Sequence, residues 1–474
     1  MFPIKKISQN TYLIPKKGKM KVDAVLFLNE KLYQVILEDE AVKQLTDAAC
    51  LPGVYKHVVG MPDIHEGFGL PIGGVMAVDA RTGVVSAGAV GMDINCGVRL
   101  LVTDISRKQV DKPLLRKIMN SIEEKVPTGI GKKSRHTRSS SMVEQVMVEG
   151  APALIKKGLG RPEDLEAIEE YGWLRGADPQ KLSSRALSRS NQLATIGGGN
   201  HFIEIGYVSE VFHPETAEHF NLQKDKLTVM IHTGSRGLGH QICNDYTNIM
   251  LKCIKKNGID LPSRGLACVP IHSQEGEDYL SAMACAVNFA FGNRQLITHE
   301  VRNAFGEAFQ CSPDKLGLQL VYDLAHNIAK FEEHFGRKLL VHRKGATRAL
   351  PPNHPSNPQR YLKTGHPVLI PGTMGTASYV VTGTEKNKDT FHSTNHGAGR
   401  VMSRKAARKS LCRNELEDRM KNILINTRNL KSIMDEAPDA YKNIHEVVLS
   451  LSEIDMTRLV ALLKPLAVIK GEGD

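Results

Sequence analysis

The sequence predicts an α+β protein, on three observations. Short β-branched runs bounded by Gly, Asp or Asn recur along the chain. Stretches long enough for helices lie between some of them. The two kinds do not alternate regularly, which argues against a doubly wound βαβ array. A length of 474 residues alone suggests about three domains. No internal repeat and no long Pro- or Ser-rich linker divides the chain, so one continuous domain over 1–474 is expected, its strands lining a central cleft.

The first hundred residues read as strands: VDAVLFLN (22–29), GGVMAVDA (73–80), VVSAGAVG (84–91) and VRLLVTDI (98–105). Residues 110–190 read mostly as helices, punctuated at Pro127, Gly150 and Pro162. Two strands follow, HFIEIGYV (201–208) and LTVMIHTG (227–234), then helices over 240–256 and 277–308. Strands return at KLLVHR (338–343), PVLIPG (367–372) and ASYVVTG (377–383), and the tail reads as helical over 401–424 and 440–465.

Lys plus Arg total 62 against 51 Asp plus Glu, a net charge of +11, with 24% charged and 41% hydrophobic residues. This is a globular composition, neither disordered nor collagenous. No apolar run approaches the roughly 20 residues of a membrane span, and the N-terminus MFPIKKISQNTYLIPKK has no apolar signal core, so a cytoplasmic location is expected. The eight cysteines form no CxxC and no framework, so reduced thiols are expected, with any special one a ligand or nucleophile. The basic excess points to a polyanionic partner. A single Trp, Trp173, and 5% aromatics argue against base stacking as the main mode of contact. Basic residues concentrate in GKKSRHTR (131–138) and in 400–413, where Arg400, Arg404 and Arg408 recur at helical spacing.

Five constellations carry chemistry. In GMDINCGVR (91–99), Asp93 and Cys96 share a Gly-flanked turn from which a carboxylate and a thiolate can reach one metal; the alternative is a turn Asp beside a buried Cys. In TIGGGNHFIEIG (195–206), three glycines allow close backbone approach before Asn200 and His201 open a strand, with Phe202 and Glu204 on one face. There is no Walker phosphate loop. His232 ends an apolar run before the Gly-rich turn holding Arg236, and His326 and Asn327 lie in the amphipathic stretch YDLAHNIAK (322–330). Three imidazoles, a thiolate and a carboxylate exceed one tetrahedral site, but suit two metals bridged by the thiolate; the set is compatible with Zn, Fe or Mn. Finally, His396 precedes a GAG turn and a basic run. A neutral imidazole is a competent nucleophile towards phosphorus, and the Gly amides and Arg400 can neutralise a phosphate. The plainer reading is a loop histidine with His392 as local partner.

GMDINCG, GGGNHFIEIG, IHTGSRGLG, AHNIAK, PGTMGTASYV and NHGAGR, in that order across roughly residues 58–471, resemble the RtcB family of GTP-dependent tRNA-splicing and RNA-repair ligases. The resemblance implies an enzyme that joins RNA 2′,3′-cyclic phosphate or 3′-phosphate ends to 5′-hydroxyl ends through a histidine–GMP intermediate, here on His396. It implies two Mn²⁺ ions, one on Asp93, Cys96 and His201 and one on Cys96, His232 and His326. It implies guanylate contacts from Asn200, His201, Phe202, Ile203 and Glu204, with Glu204 on the guanine edge. Further nucleotide contacts fall on His326, Asn327, Pro371, Gly372, Thr373, Met374, Ser378, His396, Gly397, Ala398 and Gly399, with Tyr441 stacking and Lys470 reaching the guanine. Arg236, Arg400 and Arg404 match arginines that hold RNA phosphates. Asp63 and His65, in MPDIHEG (61–67), fit the site's lining, with His65 placed to assist opening of the cyclic phosphate. The expected partners are GTP, RNA and an archease-type activator, acting on a monomer. The chain has no KxDG motif of the lysine-based nucleotidyl-transfer ligases, which agrees with a different nucleophile. Two other classes compete: a metal-dependent phosphoesterase that needs neither GTP nor His396, and a non-catalytic RNA-binding protein indifferent to metal and RNA end chemistry.

Overall fold

The computed structural model describes residues 3–129, 131–427 and 429–471; the side chains of Arg138 and Arg413, in the two basic runs, and the end of the tail at 472–474 lie outside the described set. The architecture is α+β, built on two large sheets. The first runs in spatial order Lys5–Ser8, Thr11–Ile14, Asp23–Phe27, Val54–His65, Ile72–Asp79, Arg337–Lys344 and Asn327–His334. Its one parallel pair is Asp23–Phe27 with Val54–His65. The second runs Gln319–Ala325, Gly97–Ser106, Lys226–Thr233, Phe202–Val211, Thr457–Lys470, Ser378–Gly383 and Val368–Ile370, with Leu424–Ile425 paired to Thr457–Lys470.

Two features of this topology build a site. The chain passes from the edge of one sheet to the edge of the other at a single residue, His326, between Gln319–Ala325 and Asn327–His334. The stretch 322–330, read as one amphipathic segment, is therefore two strands meeting at the histidine. The small ladder of Ala346–Arg348 with Ser393–Asn395 then places His396 one residue beyond a strand end.

The helix Gln274–Phe309 is capped by Ser273, whose hydroxyl accepts from Gly276 N, and stops at Gln310 in the left-handed region (φ 55°). It is buried over most of its length and carries polar groups into the core. Arg294 and Arg99 both pair with Asp323, and all three side chains are fully buried. Arg294 also donates to Asn95 O (2.9 Å) and Thr233 O (2.8 Å), so the buried triad anchors the loop before Cys96 and the end of the strand bearing His232. Gly97 has to be glycine, because a Cβ there would sit 2.2 Å from Leu324 O.

Several expected elements differ. The run 84–91 is a strand only over Val84–Ser86; Ala87–Val90 turns as helix, where small residues pack. Residues 110–190 contain the helices Lys112–Lys125, Ser140–Glu149, Ala151–Ile155 and Ser184–Ser188 among short 3₁₀ turns, because Pro and Gly recur too often for longer ones. The stretch 440–465 is helical only over Ile444–Ser452, and from Thr457 it is a fourteen-residue strand. Its Pro465 falls beside a register shift against Phe202–Val211, the place where a strand tolerates proline. The basic run does not form one helix: Ser403 caps a helix over Arg404–Ser410, which leaves Arg400 outside it. Among the described residues no helix is long and apolar enough to cross a membrane.

Candidate metal and nucleotide site

Strand ends bring the proposed ligands together. Val98 pairs with His232, His232 with Phe202, and Phe202 with Lys470, so four strands have an end at one level. Cys96 N donates to Asp93 O (2.9 Å) and His326 N donates to Cys96 O (2.9 Å), which docks the Asp93–Cys96 turn on the sheet-crossing residue. Cys96 Sγ lies 3.3 Å from His201 Nε2 and 3.4 Å from His232 Nε2. His232 Nε2 lies 3.3 Å from His326 Nε2, and His201 Nε2 lies 2.8 Å from Asp93 Oδ2. The atoms form two groups, Asp93/Cys96/His201 and Cys96/His232/His326, each within 4.8 Å and sharing the sulfur.

The electrostatics suit cations. Burial pushes all three histidines below their ordinary range, so they stay neutral and keep lone pairs. Burial, and then the charge of Asp93, push the Cys96 thiol up, so a thiolate there needs positive charge beside it. Asp93 is held below the usual carboxylate range: burial opposes this, but the hydrogen bond from His201, with the Arg236 charge nearby, outweighs it. Among the described residues, the Nδ1 atoms of His232 and His326 have no hydrogen-bond partner. Neutral imidazoles whose Nε2 atoms crowd a thiol and a carboxylate are a donor set that two divalent ions sharing Cys96 would satisfy.

This cluster forms one wall of a cavity of about 350 Å³. Asp93, Cys96, Asn200, Phe202, His232, His326, Asn327, Pro371, Gly372, Thr373, Met374, His396, Gly397, Ala398, Gly399, Arg400, Arg404, Tyr441, Lys470 and His65 all line it. His396 stands over the Cys96 cluster, its ring 4.8 Å from that of His326. Its Nδ1 and backbone N both meet Asp63 Oδ2, at 2.7 and 2.9 Å. His392 is not its partner: Ser393–Asn395 intervenes as a strand, and His392 Nδ1 turns to Asn387 Oδ1 (2.5 Å).

Six expected residues stand behind the cavity lining, Asp63 among them, where it holds His396. His201 is buried against Asp93, and Ile203 is fully buried in the sheet. Ser378 accepts from Gly372 N (3.0 Å) and so shapes the Pro371–Met374 loop. Glu204 is buried, and burial alone pushes its carboxyl up to about 8. Arg236 is buried too; its guanidinium donates to Thr195 Oγ1 and lies 3.2 Å from His201 Nδ1.

The other arginines have acidic partners. Arg400 lies against Tyr441, Asp435 O and Glu436, while Arg404, with a side chain 54% exposed, reaches Glu436 and Asp435. Lys470 Nζ donates to Gly199 O and faces Glu436 at 3.8 Å. In the other basic run, Arg135 and His136 are tied to Glu300. The sequence reading passed over Phe68, His240, Lys344 and Glu436, which also line the cavity. Lys344 alone had a signal, a Lys ending an apolar strand just before Gly345; the others become visible only in three dimensions.

A family model for the tRNA-splicing ligase RtcB matches residues 44–471. The chain is 45% identical over 482 aligned positions to the tRNA-splicing ligase RtcB of Thermococcus kodakarensis, covering 99% of both chains. It is 46% identical over 478 positions to that of Archaeoglobus fulgidus, and 44% identical over 478 to that of Methanococcus maripaludis, again covering 99% of each chain. With a motif-bearing cavity, a matching family model and full-length relatives all in agreement, the chain belongs to the RtcB family of tRNA-splicing ligases.

Proposed function

We propose that this chain, working as one unit over 1–474 in the cytoplasm, is a GTP-dependent RNA ligase that seals 2′,3′-cyclic phosphate or 3′-phosphate ends to 5′-hydroxyl ends in tRNA splicing and RNA repair. Membership of a tRNA-splicing ligase family makes it an RNA ligase; the finer chemistry rests on the site. The observation that carries it is His396: a buried carboxylate holds Nδ1, and the ring stands over the Cys96 cluster at the wall of a nucleotide-sized cavity.

With Nδ1–H donated to Asp63, the lone pair of Nε2 is free to attack. It displaces pyrophosphate from the α-phosphorus of GTP, forming a P–N bond as the P–O bond to the β-phosphate breaks. A cyclic phosphate is first opened by water to a 3′-phosphate, whose oxygen then takes the GMP from His396. The 5′-hydroxyl attacks the activated 3′-phosphate, and GMP leaves. Asp93, Cys96 and His201 would hold one Mn²⁺, and Cys96, His232 and His326 a second; bound there, the ions supply positive charge beside the phosphates. Arg400 and Arg404, at the cavity wall, would exchange acidic partners for RNA phosphates, while buried Arg236 orients His201. Tyr441 and Lys470 bound the side of the cavity assigned to guanine. The experiment is covalent labelling with GTP carrying a radioactive α-phosphate, in the presence of Mn²⁺, with His396→Ala as the control.

A further inference from the structure

Lys442 is 5% exposed, and its amine reaches backbone carbonyls rather than a carboxylate. Nζ donates to Pro62 O (3.3 Å) and to Ile64 O, the two carbonyls that flank Asp63. Its own backbone N donates to Gly399 O (2.9 Å), in the turn that follows His396. That turn rests directly on the strand beneath it: Gly399 has φ +73°, and a Cβ on it would stand 2.2 Å from Asp63 O. Immediately before Lys442, Tyr441 lines the cavity and bridges antiparallel to Arg400, and Val401 N donates to Ala440 O (2.9 Å). One residue therefore ties together the strand that carries Asp63, the turn that carries His396, and the wall that carries Tyr441.

Burying an ammonium against carbonyls alone is costly unless the position matters. Burial pushes Lys442 down to about 8, with the nearby Asp63 pulling the other way. His65 Nδ1 meets Asp63 O (2.8 Å), so all three consecutive carbonyls from Pro62 to Ile64 are engaged by side chains around the site. Backbone so heavily constrained fixes where the Asp63 side chain points, and Asp63 in turn fixes the His396 ring.

We propose that Lys442 is a positioning residue for guanylyl transfer, holding Asp63 and the His396 turn in register with the nucleotide wall. The inference rests on the ligase reading above. It assigns Lys442 no contact with substrate. Its loss should slow the covalent step without weakening GTP binding, whereas a residue that merely shapes the wall would change GTP affinity.

The test is single-turnover transfer of labelled GMP to the Mn²⁺-loaded protein across a range of GTP concentrations, in wild type, Lys442→Met and Lys442→Arg. Lys442→Met keeps the length and removes the donors. Its rate at saturating GTP should fall about 100-fold, the scale of a small misplacement of a reacting group, with half-saturation little changed. Lys442→Arg, which restores donors to the same carbonyls, should recover much of that rate. Should the Met variant not fold, Lys442→Leu, which also removes the donors, carries the same comparison. Wild-type rates in the Met or Leu variant overturn the inference, as does an effect confined to GTP half-saturation. A failure of Lys442→Arg to recover any rate also overturns it. If wild type itself forms no adduct, the ligase reading falls and this inference with it; labelled wild type beside an equally fast Met variant removes this inference alone.

Discussion

Asp63 holds His396 through one oxygen: Oδ2 meets Nδ1 of the ring at 2.7 Å and accepts from its backbone N at 2.9 Å, with Gly397 N a third donor at 3.2 Å. Oδ1 of the same carboxylate is buried with no hydrogen-bond partner among the described residues. In the proposed reaction this contact would fix the tautomer that leaves Nε2 free to attack, and would place the carboxylate beside the ring as it gains positive charge. Asp63→Asn keeps the shape and removes the charge. It should lower the rate of adduct formation by up to about 10⁴-fold, the scale on which an orienting carboxylate acts on a catalytic histidine. Pre-steady-state labelling checks this, and an unchanged rate would mean that the contact is only structural.

The shared sulfur makes a prediction about protons. Burial and Asp93 hold Cys96 as a thiol, and a metal ion requires the thiolate, so Mn²⁺ binding should release protons and weaken as pH falls. Calorimetry in two buffers of different ionisation enthalpy measures the release. Cys96→Ser should lose the thiol's share of it and retain less metal after dialysis. A variant that retains wild-type metal content would remove the bridge.

Glu204 links the buried strand Phe202–Val211 to stability. Burial raises its carboxyl to about 8 in the folded chain, from 4.5 in the absence of burial. The folded state therefore binds the extra proton between those values, and stability falls as pH rises through that window. Glu204→Gln removes the dependence. The variant should gain on wild type by a few kcal/mol between pH 5 and pH 8.5 in urea unfolding without nucleotide, at about 1.4 kcal/mol per pH unit. An equal difference at both pH values would show that the carboxyl finds a partner.

The buried Arg99–Asp323–Arg294 triad should be unforgiving. Asp323→Ala leaves two guanidiniums buried without their carboxylate, a loss of about 3–5 kcal/mol. Because Arg294 also anchors Asn95 and Thr233, metal retention should fall with stability. Chemical denaturation and metal analysis on the same sample check both, and a stability loss with full metal retention would separate the triad from the site.

Arg404 is the more exposed of the two arginines beside the cavity. If it contacts one RNA phosphate, Arg404→Ala should lower the slope of log affinity against log salt by about 0.7 for single-stranded RNA. An unchanged slope would leave Arg404 as a partner of Glu436 and Asp435 and not of RNA.

What the sequence revealed and what it hid have physical reasons. The strand runs at Gly97–Ser106, Phe202–Val211 and Lys226–Thr233 were legible because β-branched residues fill strands buried between neighbours. Thr457–Lys470 was not, since its leucines and Pro465 read as helix and break, while its strand character comes from pairing with Phe202–Val211 and Ser378–Gly383. The proposed metal ligands were visible as residue types at strand ends and in the turn before one. That His326 marks the crossing between two sheets was not, because two adjoining strands without a turn residue look like one segment. Asp63 was noticed as a neighbour of the site, but its grip on His396 spans 333 residues and leaves no local pattern. The arginines' acidic partners, Asp435 and Glu436, were invisible for the same reason.

The central claim is that His396 carries GMP. The direct measurement is incubation of Mn²⁺-loaded protein with α-phosphate-labelled GTP, followed by denaturing separation, in wild type and His396→Ala. The account predicts an acid-labile, alkali-stable protein adduct in wild type that is absent in the variant. An adduct that survives in His396→Ala, or a metal-loaded wild type that forms none while hydrolysing cyclic phosphates without GTP, would contradict it and favour a phosphoesterase.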